Sequence, residues 1–333
     1  MTARPIAVVT GGAGFIGSHM VDNLLAHGYA VRAVDNLISG RESNLAHLSG
    51  NTDFSFERAD IRSLEPGHAL FDQAQLVFHF AGIGDIVPSI ERPLEYMSAN
   101  VQGTAQVLEC ARHAAVKKLV YAASSSCYGL AATPTREDHP IQPLYPYALS
   151  KYMGEQACFH WHKVYGLPVN AIRIFNAYGT RVRTTGAYGA VFGVFFRQKL
   201  AGKPYTVVGD GAQRRDFLYV TDVAEAFRLA GETAKTGEVW NLGAGNPQSV
   251  NHLTDLLGGE KVSIPKRPGE PDCTWADITK IVTDLGWKQK ISFEEGVALM
   301  MQEIDVWRDA PLWDPDSIEQ ATATWFRYMG ART

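Results

Sequence analysis

Two periods of hydrophobicity alternate along the first half of the chain. Short apolar runs at Ile6-Ala7-Val8-Val9-Thr10, Tyr29-Ala30-Val31-Arg32-Ala33-Val34 and Leu76-Val77-Phe78-His79-Phe80 have the length and composition of strands buried on both faces. Phe54-Ser55-Phe56-Glu57-Arg58-Ala59-Asp60-Ile61-Arg62 places aromatic residues at alternate positions, and Lys118-Leu119-Val120-Tyr121-Ala122-Ala123 is a further strand candidate. Between these runs lie stretches with helical spacing. One follows residue 17, and another covers 93–112, where Leu94, Met97, Val101, Val107 and Leu108 recur. Strand and helix in alternation predict an α/β chain built on a doubly wound parallel sheet. In such a sheet the carboxyl ends of the strands line the ligand crevice, so chemistry is expected in the residues just after each run.

The first run closes on Gly11-Gly12-Ala13-Gly14-Phe15-Ile16-Gly17 and a helix-like segment follows at once. Glycines at 11, 14 and 17 let the backbone bend sharply and approach a pyrophosphate at the helix N-terminus. A glycine triplet alone also joins strands to helices where no nucleotide binds. Here the second run ends in Asp35, about twenty residues on, where a carboxylate can accept both adenosine-ribose hydroxyls and repel a 2′-phosphate. That favours NAD over NADP, with Arg32 and Arg41 near enough in sequence to leave NADP open.

Composition narrows the partners. Of 333 residues 46% are apolar and the net charge is -4, which suits one large globular unit or two modest domains. Scattered cations and a pI of about 6.2 give no footprint for nucleic acid. The chain shows no apolar signal core and no stretch long enough to span a bilayer, so a cytoplasmic protein with no membrane partner is expected. Cys110, Cys127, Cys158 and Cys273 lack metal-ligand spacing, and no metal site is expected.

Two further segments carry candidate chemistry. Ser124-Ser125-Ser126-Cys127-Tyr128-Gly129 follows a strand directly, and by itself reads more readily as a polar turn. Pro143-Leu144-Tyr145-Pro146 then opens a helix that sets Tyr147 and Lys151 on one face. An ammonium near a phenol favours the phenolate and makes it a usable base, although surface pairs at this spacing are common. His79, inside an apolar strand, reads as a satisfied core residue rather than a catalytic one.

Taken together, the 11–17 turn, Asp35, Asp60-Ile61, Ser124 before Tyr128-Gly129, and Tyr147 with Lys151 resemble the extended short-chain dehydrogenase/reductases, specifically the nucleotide-sugar epimerases and dehydratases. Similar motifs continue at Arg173-Ile174-Phe175-Asn176-Ala177-Tyr178-Gly179, at 209–217, and at Arg267-Pro268-Gly269-Glu270 before Trp275-Ala276-Asp277-Ile278. The resemblance implies a Rossmann-type domain over 1–175 and a smaller α/β substrate-binding domain over 178–333, with segments near 176–177 and 215–242 returning to the cofactor sheet. It implies NAD held by Gly11, Gly14, Phe15, Ile16, Gly17, Asp35, Asn36, Ser39, Gly40, Asp60, Ile61, Phe80, Ala81, Gly82, Asn100, Tyr147, Lys151 and Phe175. Tyr147 would be the acid/base, Lys151 the group that lowers its pKa, and Ser124 the hydroxyl that bonds the sugar oxygen. Ser125, Ser126, Asn176, Val191, Arg215, Arg267 and Thr274 would face a UDP-linked sugar, with Asn176, Arg215 and Arg267 on the diphosphate.

Within that family the shared first step is oxidation at the sugar C4. Dehydratases resemble this chain except for an acidic pair after the hydroxyl residue, where Ser125 and Ser126 stand here, and the decarboxylating relatives use a glutamate at the position of Ser126. A 4-epimerase, acting on UDP-glucose and UDP-galactose or the N-acetyl equivalents, is therefore the expected activity. An epimerase on a uronic or deoxy sugar, a ketoreductase or dehydratase, and a non-catalytic dinucleotide binder are the alternatives. Thr274, or else the loop carrying Asp85 and Pro88, would gate sugar size. Relatives pair as homodimers through the helices near 93–113 and 147–161. Residues 188–200 read as packing the smaller domain, 207–209 and 239–243 as its strands, and Asp314-Pro315-Asp316 as the start of a Trp-rich tail helix.

Overall fold

The protein is described here from a computed structural model covering residues 4–185, 191–266 and 269–330. Among these residues a seven-stranded sheet runs β11-β6-β5-β4-β1-β2-β3. Its strands are β1 (Ile6–Thr10), β2 (Ala30–Asp35), β3 (Phe54–Arg58), β4 (Ala74–His79), β5 (Lys118–Ser124), β6 (Val169–Ile174) and β11 (Glu238–Leu242), and every pairing is parallel. The chain order reverses between β1 and β4, which opens the ligand crevice at their carboxyl ends. Helices cover both faces, and this explains why the central strands β1, β4 and β5 are apolar rather than alternating, whereas the edge strand β3 alternates and buries none of its residues fully. On one face Met20, Val21 and Leu24 of the helix Phe15–Ala26 pack with Ala226, Phe227 and Ala230 of Val220–Glu232. On the other, Val107 and Leu108 of Gly103–His113 and Cys158 of Pro146–Tyr165 pack against Leu119, Tyr121 and Ala171.

A second core holds the smaller lobe. Phe192, Phe195 and Phe196 of the helix Val191–Leu200 meet Tyr178, Phe217, Phe293 and Trp307, with Tyr178 and Phe192 stacked at 4.8 Å. Its short strands are β7 (Asn176–Tyr178) with β10 (Phe217–Tyr219), β8 (Tyr205–Val208) with β13 (Lys261–Ile264), and β9 (Arg214–Arg215) with β12 (Gln248–Ser249).

Two expectations change. The 239–243 strand belongs to the edge of the large sheet and not to the smaller lobe, because Trp240 and Leu242 are fully buried in the core beneath that sheet. The 93–112 stretch is not one regular helix. It runs Pro93–Met97, a π-turn at Ser98–Gln102, then Gly103–His113, and Leu94 at its start is 81% exposed. π-turns of this kind commonly accompany functional sites. Of the 188–200 stretch, 188–190 lie outside the described residues.

The tail helix begins as its sequence predicts. Asp314 accepts from the Ser317 amide in a capping box, and Pro315 occupies the first turn of Pro315–Met329. Its indole is spent on the body of the chain: Trp325 and Met329 are buried against Val87, with Ile86, Ile90, Leu144 and Tyr145 around them.

Candidate active site

The glycine turn after β1 is shaped by contacts that leave no room for side chains. Gly11 has φ +68°, and a Cβ there would lie 2.7 Å from the Ala81 amide nitrogen; one on Gly17 would lie 2.0 Å from the Gly11 carbonyl oxygen. The turn after β1 and the Phe80-Ala81-Gly82 turn after β4 thus pack backbone to backbone at the switch point. Gly14 caps the helix Phe15–Ala26 without any side-chain bond to its first amides, and no acid stands in the first turn. Uncapped amides at a helix N-terminus form an anion site. A dinucleotide pyrophosphate fits this cradle.

At the end of β2, Asp35 is buried and accepts from the Leu37 amide at 2.7 Å and the Ala13 amide at 3.2 Å. Burial pushes its carboxyl up, while these backbone donors oppose the rise. A side chain on Gly40 would crowd Asp35 Oδ2 at 2.7 Å, so glycine there keeps the carboxylate approachable. Asn36 donates to Asp60, whose carboxyl is held well below its usual range chiefly by the Arg62 guanidinium. Ser39 is exposed on the adjoining loop, and Ile61 is buried beneath it against Gly103. Both arginines that left NADP open are committed elsewhere. Arg32 donates to the carbonyls of Ala69, Leu70 and Asp72, and Arg41 to Val182 and Thr184.

Around β4, Phe80 packs on Phe227 at 4.6 Å. His79 bonds Thr10 Oγ1 at 2.6 Å and Thr104 Oγ1 at 2.9 Å; its pKa falls to about 3, mainly through burial, and the neutral core reading holds. Asn100, in the π-turn, spends both donors inside the protein, on the Ile83 carbonyl and Ser150 Oγ, and accepts from the Ile83 amide. Its side chain anchors the loop after β4. Phe175, following β6, lies beside Tyr128 at 6.4 Å.

Ser124 ends β5, and its Oγ accepts from the Ser126 amide at 3.2 Å and from the Tyr147 hydroxyl at 3.3 Å. Pro146 starts the helix that presents Tyr147 and, one turn on, Lys151. Lys151 is buried at this end of the helix. Burial pulls its ammonium down to about 8, and Nζ packs over the Tyr121 ring at 4.4 Å. Tyr147 as a residue is half-buried, yet its hydroxyl end is deep enough that burial pushes the phenol up, with the Ser124 bond opposing and the Asp85 charge adding to the rise. Nζ of Lys151 thus lies over the Tyr121 ring, one helical turn from Tyr147. Asp85 itself is paired with Arg183 at 2.9 Å.

A second group gathers across the crevice. Thr274 Oγ1 donates to Asn176 Oδ1 at 2.6 Å, and the Thr274 amide donates to the Arg214 carbonyl at 3.1 Å. Arg215 is ion-paired with Glu270 at 2.8 Å, and Val191 begins its helix on the edge of the second core. Ser125 and Ser126 are half-buried beside Ser124. Arg267 lies outside the described residues. Sequence reasoning passed over Tyr145, whose ring is parallel to Tyr147 at 6.4 Å, and Arg183; two prolines flanking Tyr145 and its position just before the helix were the available signal.

Comparison with known proteins places this geometry among characterised folds. The NAD dependent epimerase/dehydratase family matches residues 7–243. A UDP-glucose 4-epimerase of Mycolicibacterium smegmatis is 36% identical over 300 residues, 87% of this chain and 96% of the relative. The crystal structure of a UDP-glucuronic acid 4-epimerase from Bacillus cereus, in complex with UDP-glucuronic acid and NAD, superposes with a TM-score of 0.84 at 32% identity, covering 90% of this chain and 99% of the other. A UDP-glucose 4-epimerase from Thermotoga maritima, solved with UDP-glucose, gives 0.81 at 33% identity over the same shares. Among the described residues no helix is long and apolar enough to cross a membrane.

Proposed function

Because this chain belongs to the NAD dependent epimerase/dehydratase family, we propose that it is a nucleotide-sugar 4-epimerase acting on UDP-glucose and UDP-galactose, or on their N-acetyl equivalents, through a transient 4-keto sugar. The observation that carries this reading is the Ser124–Tyr147 hydrogen bond at the carboxyl end of β5 with serines, not carboxylates, at 125 and 126. NAD, when bound, supplies a hydride acceptor and donor at the sugar C4. The glycine turn would hold its pyrophosphate and Asp35 its adenosine ribose, while Lys151 would hold its nicotinamide ribose.

Tyr147 removes the C4 hydroxyl proton and later returns it, and Ser124 bonds the same sugar oxygen so that both faces of the ketone meet one proton relay. Elimination of water or carbon dioxide would need a further free carboxylate. The carboxylate whose charge acts on Tyr147 is Asp85, and it is ion-paired with Arg183 rather than free. With no elimination available, the ketone turns over and takes the hydride on its opposite face. Asn176, Arg215 and Arg267 would hold the diphosphate. The Arg215–Glu270 pair supports this, since a guanidinium held ready by one carboxylate can exchange it for a phosphate.

We also assign residues 1–175, with the segments near 176–177 and 215–242 that return to it, to the cofactor domain and 178–333 otherwise mainly to the substrate domain, supported by the separate aromatic core and by β11 in the large sheet. A homodimer through the 93–113 segment and the helix Pro146–Tyr165 is supported by the exposure of Leu94, Leu149 and Met153, apolar side chains that a monomer would leave in water. The decisive experiment incubates purified protein with UDP-glucose, UDP-galactose and their N-acetyl forms and resolves the products by chromatography while following absorbance at the NADH band. Interconversion without net NADH supports the epimerase; stoichiometric NADH, or no product from any of the four, overturns it.

A further inference from the structure

The C-terminal helix Pro315–Met329 lies where the proposed sugar subsite needs a wall. Its Trp325 ring sits 5.6 Å from Tyr145, which is parallel to Tyr147 at 6.4 Å, which in turn meets Tyr96 edge-on at 6.5 Å. The catalytic phenol is thus one member of a four-ring series whose outer end is supplied by the tail. Ring pairs at these separations are attractive and resist sliding.

Tyr145 also occupies the right place between the two halves of the site. Ser126 lies near its hydroxyl, and the charges of Glu270 and Arg215 both act on it. Tyr145 therefore stands beside Tyr147 and within reach of the charge of Arg215. The same tail helix clamps both rims of the crevice. Trp325 and Met329 bury Val87, and Thr324 donates to Glu91, both on the short helix Ile86–Glu91 that directly follows Asp85. At its far end the Met329 methyl lies 3.5 Å from where a Cβ on Gly269 would stand, next to Glu270. The Bacillus cereus and Thermotoga maritima structures match over 99% of their own length and leave a tenth of this chain uncovered.

We propose that the C-terminal helix forms the outer wall of the sugar subsite, and that Trp325, acting through Tyr145, is a positioning residue that governs how tightly the sugar moiety is held. The proposal rests on the epimerase reading for the identity of the sugar nucleotide. Its consequence is selective: the wall bears on the sugar, not on the nucleoside diphosphate or on NAD.

The test uses the full chain with Trp325→Ala, Trp325→Phe and Tyr145→Ala. Binding of UDP and of UDP-glucose is measured by calorimetry, with kcat, KM, bound NAD and thermal melting in parallel. Trp325→Ala and Tyr145→Ala should weaken UDP-glucose binding and raise KM between about tenfold and a hundredfold, the scale of a misplacement of about 1 Å. UDP affinity and NAD content should be unchanged, and Trp325→Phe should recover most of the loss. Equal losses for UDP and UDP-glucose, an unchanged KM, or no recovery with phenylalanine would each overturn the wall. Should Trp325→Ala fail to fold, Trp325→Leu keeps the helix docked and carries the same expectation. A native protein that binds UDP-glucose more tightly than UDP but converts nothing would refute the activity alone, and the binding ratios of the variants would still decide the wall.

Discussion

Replacing Lys151 by methionine should make the protein more stable and much less active. The ammonium is buried, and burial depresses its pKa from 10.5 to about 8. Keeping it charged below pH 8 therefore costs on the order of 3 kcal/mol of folding free energy. Against this stands its contact with the Tyr121 face at 4.4 Å, worth about 0.5–2 kcal/mol. Methionine keeps the length and packing of the stem without the charge. The net expectation near pH 7 is a gain of about 1–2 kcal/mol and a melting temperature higher by a few degrees. The sign of the pH dependence follows from proton counting. Between about 8 and 10.5 the unfolded lysine binds more protons than the folded one, so native stability rises with pH across that window. The advantage of Lys151→Met is then largest below pH 8 and shrinks toward pH 10.5. Scanning calorimetry of cofactor-free native and variant protein at pH 7 and pH 10 measures this, and turnover with UDP-glucose measures the loss of activity. A variant that is folded by circular dichroism yet less stable at pH 7 would refute the reasoning, because burial would then not be what governs this lysine.

Three further outcomes are expected. Tyr147→Phe removes the oxygen bonded to Ser124 and should lower kcat by about a hundredfold to ten-thousandfold while NAD content stays near native; near-native turnover would exclude the proposed acid/base. Asp35→Ala deletes the acceptor of the Ala13 and Leu37 amides, so NAD binding should weaken and the gap to NADP narrow in fluorescence titrations of both cofactors. Thr274→Tyr breaks the bond to Asn176 and fills the neighbouring space; overpacking at about 1–3 kcal/mol should suppress UDP-N-acetylglucosamine relative to UDP-glucose in a competition assay, and equal treatment of both sugars would remove residue 274 as the gate.

The local chemistry of this chain was legible before folding. Apolar runs of strand length, glycines at 11, 14 and 17, and Asp35 at the next strand end follow from backbone sterics and from the placement of ribose and pyrophosphate at strand termini, which short-range sequence encodes. The same holds for Pro146 before Tyr147 and for the Asp314-Pro315 helix start, both decided by the needs of a first helical turn. What the chain order alone could not decide was every property set by long-range contact. The seventh strand joined the large sheet because Trp240 and Leu242 find their cover under it. The helix from Pro93 broke into a π-turn whose Asn100 ties the loop after β4 to Ser150. Arg32 and Arg41, open in sequence as phosphate ligands, were claimed by carbonyls up to 141 residues away. Lys151 and Tyr147 share a helical face, and burial pulls the ammonium down and pushes the phenol up, because desolvation depends on everything packed around a charge. Trp325 reached Tyr145 across 180 residues, a contact that only the closed tertiary structure brings about.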